Sequence, residues 1–165
     1  MKAVDILIIE DSRLEAEYFR DLFKSNFEVR KIQQRITIAS TEKDAYRLLS
    51  ERTFGIVIFD IDLDRRGAGL DLLKQFSNST MLPVISTARE AEEIVAKGYD
   101  FGCEHFIRKP IQESKIEVII DDYLKKSAKD AHLEVIRANF VTQDPETMDQ
   151  LVKIQDCGNA NTHIY

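Results

Sequence analysis

The 165 residues include 44% hydrophobic and 32% charged side chains and carry a net charge of −6, which supplies apolar material for one packed domain with a short appendage. The acidic excess and the absence of a long lysine or arginine run argue against direct nucleic-acid contact, so Arg65-Arg66 and Lys125-Lys126 read as solvated faces. No apolar stretch approaches the roughly 18 residues that a membrane helix needs, and the first residues lack a signal-peptide pattern, so the expected setting is cytoplasmic with no membrane partner.

Short apolar runs alternate with amphipathic segments, the pattern of βα units around a parallel sheet. The first strand, Val4 to Ile9, closes on Glu10-Asp11, and a helix follows over Leu14 to Phe23 with apolar residues at 14, 18, 19, 22 and 23. The stretch from Phe27 to Arg35 reads as a charged surface insertion before a second strand over Ile36 to Ala39. Thr41-Glu42-Lys43-Asp44 offers a capping box to a helix over Lys43 to Leu49. A third strand, Gly55 to Phe59, closes on Asp60, and a helix over Leu70 to Phe76 follows the intervening loop. Pro83 to Thr87 forms the fourth strand, shortened by one with Ser86 in an apolar place. A helix over Glu90 to Ala96 comes next, with Gly98 at its end. The fifth strand, Glu104 to Ile107, leads to Lys109-Pro110.

The last helix starts after Pro110, with capping groups at Gln112 to Ser114 and an apolar stripe at Ile116, Ile119, Ile120, Tyr123 and Leu124. Ala128, Ala131 and Val135 continue a weaker stripe past the sheet. That extension either pairs with a copy of itself or serves as a solvated linker with fraying helicity. Cys103 and Cys157 are lone thiols, and His105, His132 and His163 are scattered, so neither type forms a metal cluster.

Carboxylates at the carboxyl ends of parallel strands gather at one rim of the sheet, where open α/β folds bind ligands. Glu10, Asp11 and Asp60 therefore meet, and three clustered acids call for a cation; a hard ion such as Mg²⁺ takes one or two carboxylates, retained waters and a phosphate. Thr87 and Lys109 end neighbouring strands and add a hydroxyl and an ammonium suited to a phosphoryl group on Asp60.

The ordered set Glu10-Asp11, Asp60, Thr87-Ala88 and Lys109-Pro110, with Phe106 three residues before the lysine, resembles the receiver domain of bacterial two-component response regulators over residues 1 to 127. The resemblance implies a flavodoxin-like, doubly wound (βα)5 fold whose five-stranded parallel sheet has strand order 2-1-3-4-5, with an extended C-terminal helix. It further implies that Asp60 accepts a phosphoryl group from a sensor histidine kinase, by self-catalysed transfer rather than turnover. Mg²⁺ is then held by Asp11 and Asp60 directly, by Glu10 largely through water, and by the backbone carbonyl of Asp62. Thr87 and Phe106 become the switch pair, and a homodimer forms through the fourth-helix and fifth-strand face, near Ile94, Phe106 and Ile119, or through the linker helix.

The loop Asp60-Ile61-Asp62-Leu63-Asp64-Arg65-Arg66-Gly67-Ala68-Gly69-Leu70 departs from that family: it lacks the usual methionine-proline pair and is one residue longer. The Asp60-Ile61-Asp62 phrase also evokes haloacid-dehalogenase-like phosphatases, with Asp121-Asp122 as further acids, and a pseudo-receiver that only binds is a third reading. Residues 128–138 read as a helical linker. Asn139 to Ile154 resemble the opening of the central ATPase domain of NtrC-class sigma-54-dependent activators, so 139–165 would be a fragment of that domain. No GxxxxGK[ST] loop is present, and ATP binding is not expected.

Overall fold

The computed structural model describes residues 2–89 and 91–140. The chain divides after Tyr123 into two units. In the first, the elements alternate: β1 (Val4–Ile9), α1 (Arg13–Val29), β2 (Gln34–Ala39), α2 (Glu42–Glu51), β3 (Ile56–Asp60), α3 (Ala68–Phe76), β4 (Leu82–Thr87), α4 (Glu92–Asp100), β5 (His105–Arg108) and the start of α5 (Glu113–Phe140). All strand pairs are parallel, in the order β2-β1-β3-β4-β5. This is the expected flavodoxin-like receiver topology with a long C-terminal helix.

The central strands read as unbroken apolar runs because both faces of the sheet are covered. Ile6 to Ile9 and Ile56 to Phe59 are inaccessible to solvent, and fully burying one such side chain contributes about 1.5–3 kcal/mol. Alternation along the strands divides the core into two layers. Leu7, Ile9, Val57, Phe59 and Ile85 pack with Leu48, Leu72, Leu73 and Ile94 of α2, α3 and α4. Phe19, Phe23 and Phe27 of α1 and Ile116, Ile119 and Ile120 of α5 are buried too, and an Arg30–Asp121 ion pair of 2.8 Å ties α1 to α5.

Three expectations need correction. Phe27 to Arg35 is no surface insertion, because α1 runs on to Val29 with Phe27 fully buried and β2 begins at Gln34. Buried Asn26 masks the helical period; its side-chain amide donates to the Leu22 carbonyl at 3.0 Å. β4 is not shortened: its six residues are all buried, and the Ser86 hydroxyl has no hydrogen-bond partner. Nor does Gly98 end α4, which continues to Asp100. A β-carbon at 98 would lie 2.5 Å from Phe106 Cζ, so glycine here permits close packing, and the positive φ of +96° falls instead on Gly102.

Capping matches the sequence at Thr41, whose hydroxyl accepts from the Asp44 amide at 3.1 Å. In the second unit α5 continues through the expected linker to Phe140, mostly with exposed side chains. Among the described residues, no helix is long and apolar enough to cross a membrane. The resemblance to an ATPase-domain opening, along with Cys157 and His163, falls almost wholly on 141–165, outside the described residues; 139 and 140 close α5.

Candidate functional site

The strand register decides what meets at the rim. Ile9 of β1 stands beside Phe59 of β3, Asp60 beside Ser86, and Thr87 beside Arg108, so Glu10, Asp60, Thr87 and Lys109 all emerge at the carboxyl end of the sheet. Glu10, Asp11 and Asp60 each offer an oxygen within 4.8 Å of the others. Of the three, Glu10 and Asp60 are buried while Asp11 is exposed. One acid thus remains open to an arriving ligand.

Lys109, which follows β5, reaches back into this cluster. Its Nζ donates to Glu10 Oε2 at 2.7 Å and lies 3.6 Å from Asp60 Oδ1. It also donates to Glu15 on the first turn of α1. Burial raises the Glu10 pKa to about 7, with repulsion from Asp60 adding to the effect and the Lys109 hydrogen bond opposing it. Burial likewise raises Asp60, aided by Asp11 and opposed by Lys109. Lys109 itself is held above its ordinary value by Glu10 and Glu15 despite burial. A single ammonium therefore leaves the buried acids short of compensating charge.

Thr87 is buried, and its hydroxyl accepts from the Arg89 amide at 3.0 Å. The Arg89 guanidinium in turn pairs with the Asp62 carboxylate at 2.6 Å, which also accepts from the Gly67 amide at 3.2 Å. The Asp62 side chain therefore turns away from the acid cluster toward an arginine. Thr87 and Phe106 line one cavity of about 470 Å³ with Val95 and Tyr99, and the Phe106 ring lies 5.0 Å from that of Tyr99.

The loop after Asp60 is fastened to α2 and α3. Asp64 accepts from the Glu42 amide at 2.7 Å, capping α2, and Arg65 grips Glu42 at 2.6 and 2.9 Å and Asp71 at 2.7 Å. At its end, a β-carbon on Gly69 would sit 1.9 Å from the Asp60 carbonyl oxygen, so only glycine lets α3 start this close to β3.

The structure thus gathers Glu10, Asp11, Asp60, Thr87 and Lys109, while Asp121 and Asp122 lie on α5, paired with Arg30 and His105. Neither belongs to the acidic cluster among the described residues, which removes the acids that the phosphatase reading required. Sequence reasoning missed Glu15 and Arg89. Their proximity in sequence to Asp11 and Thr87 is the only signal that either carries.

The profile of the response regulator receiver domain matches residues 6–121. The chain belongs to the response regulator receiver family. Solved receivers share the fold. A CheY-like receiver domain protein from Methanospirillum hungatei JF-1 superposes with a TM-score of 0.63 at 21% identity, covering 78% of this chain and 99% of that one. The receiver domain of a DNA-binding response regulator from Colwellia psychrerythraea 34H gives 0.65 at 21%, covering 74% and 98%. That of a putative Luxo repressor protein from Vibrio parahaemolyticus gives 0.62 at 20%, covering 81% and 98%. No curated protein matches the chain.

Proposed function

We propose that this receiver accepts a phosphoryl group on Asp60 from a phosphohistidine of a sensor kinase and thereby changes the state of an output unit. The observation that carries the reading is the meeting of three acid oxygens within 4.8 Å, with the Lys109 ammonium 3.6 Å from Asp60. In the transfer, an Asp60 carboxylate oxygen forms a bond to phosphorus as the P–N bond to the donor imidazole breaks, and that imidazole leaves with the electron pair and takes up a proton. Asp60 must be ionised to attack, although burial favours its protonated form. Lys109 holds the carboxylate charge and donates to the incoming oxygens.

The donor set is all oxygen, acidic and undercompensated, which fits a hard divalent cation. Asp11, Asp60 and the Asp62 carbonyl would hold Mg²⁺, with Glu10 acting largely through water. The bound ion supplies the positive charge that lets two anions approach each other. Thr87 would exchange its contact with the Arg89 amide for one with a phosphoryl oxygen, and the space it leaves opens onto Phe106. Because both side chains line one cavity, the hydroxyl's movement would be felt at the α4 and β5 face, one candidate homodimer contact; the extension of α5 is the other.

The output is read as transcriptional. Two similar structures are receivers of a DNA-binding regulator and a putative repressor, and the sequence Asn139 to Ile154 resembles the start of a sigma-54 activator ATPase domain. Acetyl phosphate with Mg²⁺, read by intact mass, tests the chemistry: one phosphoryl is added to the wild type and none to Asp60→Asn. Phosphorylation at full rate in excess chelator would refute the assignment.

A further inference from the structure

We infer that Glu15 is a positioning residue that restrains Lys109 in the unphosphorylated receiver and competes with the phosphoryl group for it; this rests on the phosphoacceptor reading of Asp60. An ammonium has three donors. Glu10 and Glu15 engage two of them, and Asp60 at 3.6 Å lies beyond hydrogen-bond range. Lys109 is thus drawn toward the α1 side of the site, ion-paired with Asp60 but not hydrogen-bonded to the carboxylate whose product it must stabilise.

The two acids holding it differ in what release costs them. The Glu10 side chain is 1% exposed, so losing Lys109 would strand a buried carboxylate. The Glu15 side chain is 39% exposed and sits in the first turn of α1, where water and the helix N-terminus can both stabilise it alone. Glu15 is therefore the partner that lets go. When an anion arrives at Asp60, Lys109 swings from Glu15 toward it, and the cost of breaking that contact lowers the apparent affinity for the anion.

The test is calorimetric titration of the full chain with beryllofluoride at saturating Mg²⁺, alongside Mg²⁺ alone and a thermal melt. Glu15→Gln is expected to tighten beryllofluoride binding by about 3- to 10-fold, the range for one partly exposed charged contact, while Mg²⁺ affinity stays unchanged. Glu15→Asp keeps the charge but loses one methylene of reach, so it should move in the same direction. Glu17→Gln removes a charge on the same helix that, among the described residues, pairs with Arg13, and should change nothing.

Equal or weaker binding by Glu15→Gln overturns the inference and leaves the receiver reading intact. So does a gain for Gln with none for Asp, because general charge repulsion would then suffice. A wild type that fails to bind beryllofluoride with Mg²⁺ overturns the receiver reading and, with it, the inference.

Discussion

Removing divalent cations should make this domain progressively less stable as pH rises from 5 to 8, and the effect should trace to Glu10. Its carboxyl titrates near 4.5 in the unfolded chain and at about 7 in the fold, chiefly because it is buried. The folded state therefore keeps a proton that the unfolded chain releases, so the associated stability is complete below 4.5 and disappears as pH rises through 7. At about 1.4 kcal/mol per tenfold change, this rise corresponds to on the order of 3 kcal/mol. Lys109 stays charged throughout, and its favourable contact with the ionised Glu10 is already contained in that net rise. For a chain of this size the melting temperature should fall by roughly 10 °C in chelator.

Saturating Mg²⁺ binds the ionised acids and should recover much of that loss at pH 8, about 2.7 kcal/mol at a hundred times its dissociation constant. Melting curves of wild type and Glu10→Gln at pH 5, 6.5 and 8, with chelator and with Mg²⁺, provide the assay. The glutamine variant should show a flatter profile in chelator and exceed the wild type at pH 8. A wild-type melting temperature that is level or rises over this range in chelator, or the same slope in both proteins, would refute the electrostatic account of the rim.

Thr87→Ala should leave Asp60 competent for stoichiometric phosphorylation by acetyl phosphate, yet reduce the phosphorylation-induced change in oligomeric state several-fold, as read by sedimentation. Gly98→Ala places a methyl 2.5 Å from Phe106 Cζ and 2.6 Å from Ile85 Cδ1, and should cost about 1–3 kcal/mol in denaturant unfolding. Ser86→Ala removes a buried hydroxyl that has no partner, and should be neutral or stabilise by up to about 1 kcal/mol in the same assay.

The strands and the acids at their ends were legible in the sequence because a two-sided parallel sheet writes itself as unbroken apolar runs, and chain direction then dictates which end each terminal residue occupies. The second half of α1 was not. Lys24, Ser25 and Asn26 interrupt the apolar spacing before Phe27, and Asn26 tolerates burial because its amide donates to the Leu22 carbonyl and accepts from Arg30. Gly98 misled because a glycine required by a neighbouring ring looks the same in sequence as a glycine required by a turn. Glu15 and Arg89 were invisible for another reason. Their partners lie 94 and 27 positions away, and pairings at such separations leave no periodic trace.

Arg65 gives the loop between Asp60 and α3 a second role. By gripping Glu42 of α2 and Asp71 of α3 at once, it turns two independent helix starts into one anchored hub, and each contact helps immobilise the same side chain for the other. The loop that begins at Asp60 is thereby tied to the surface of α2, so a substitution at Glu42 reaches the residues after Asp60 by a path that bypasses the core.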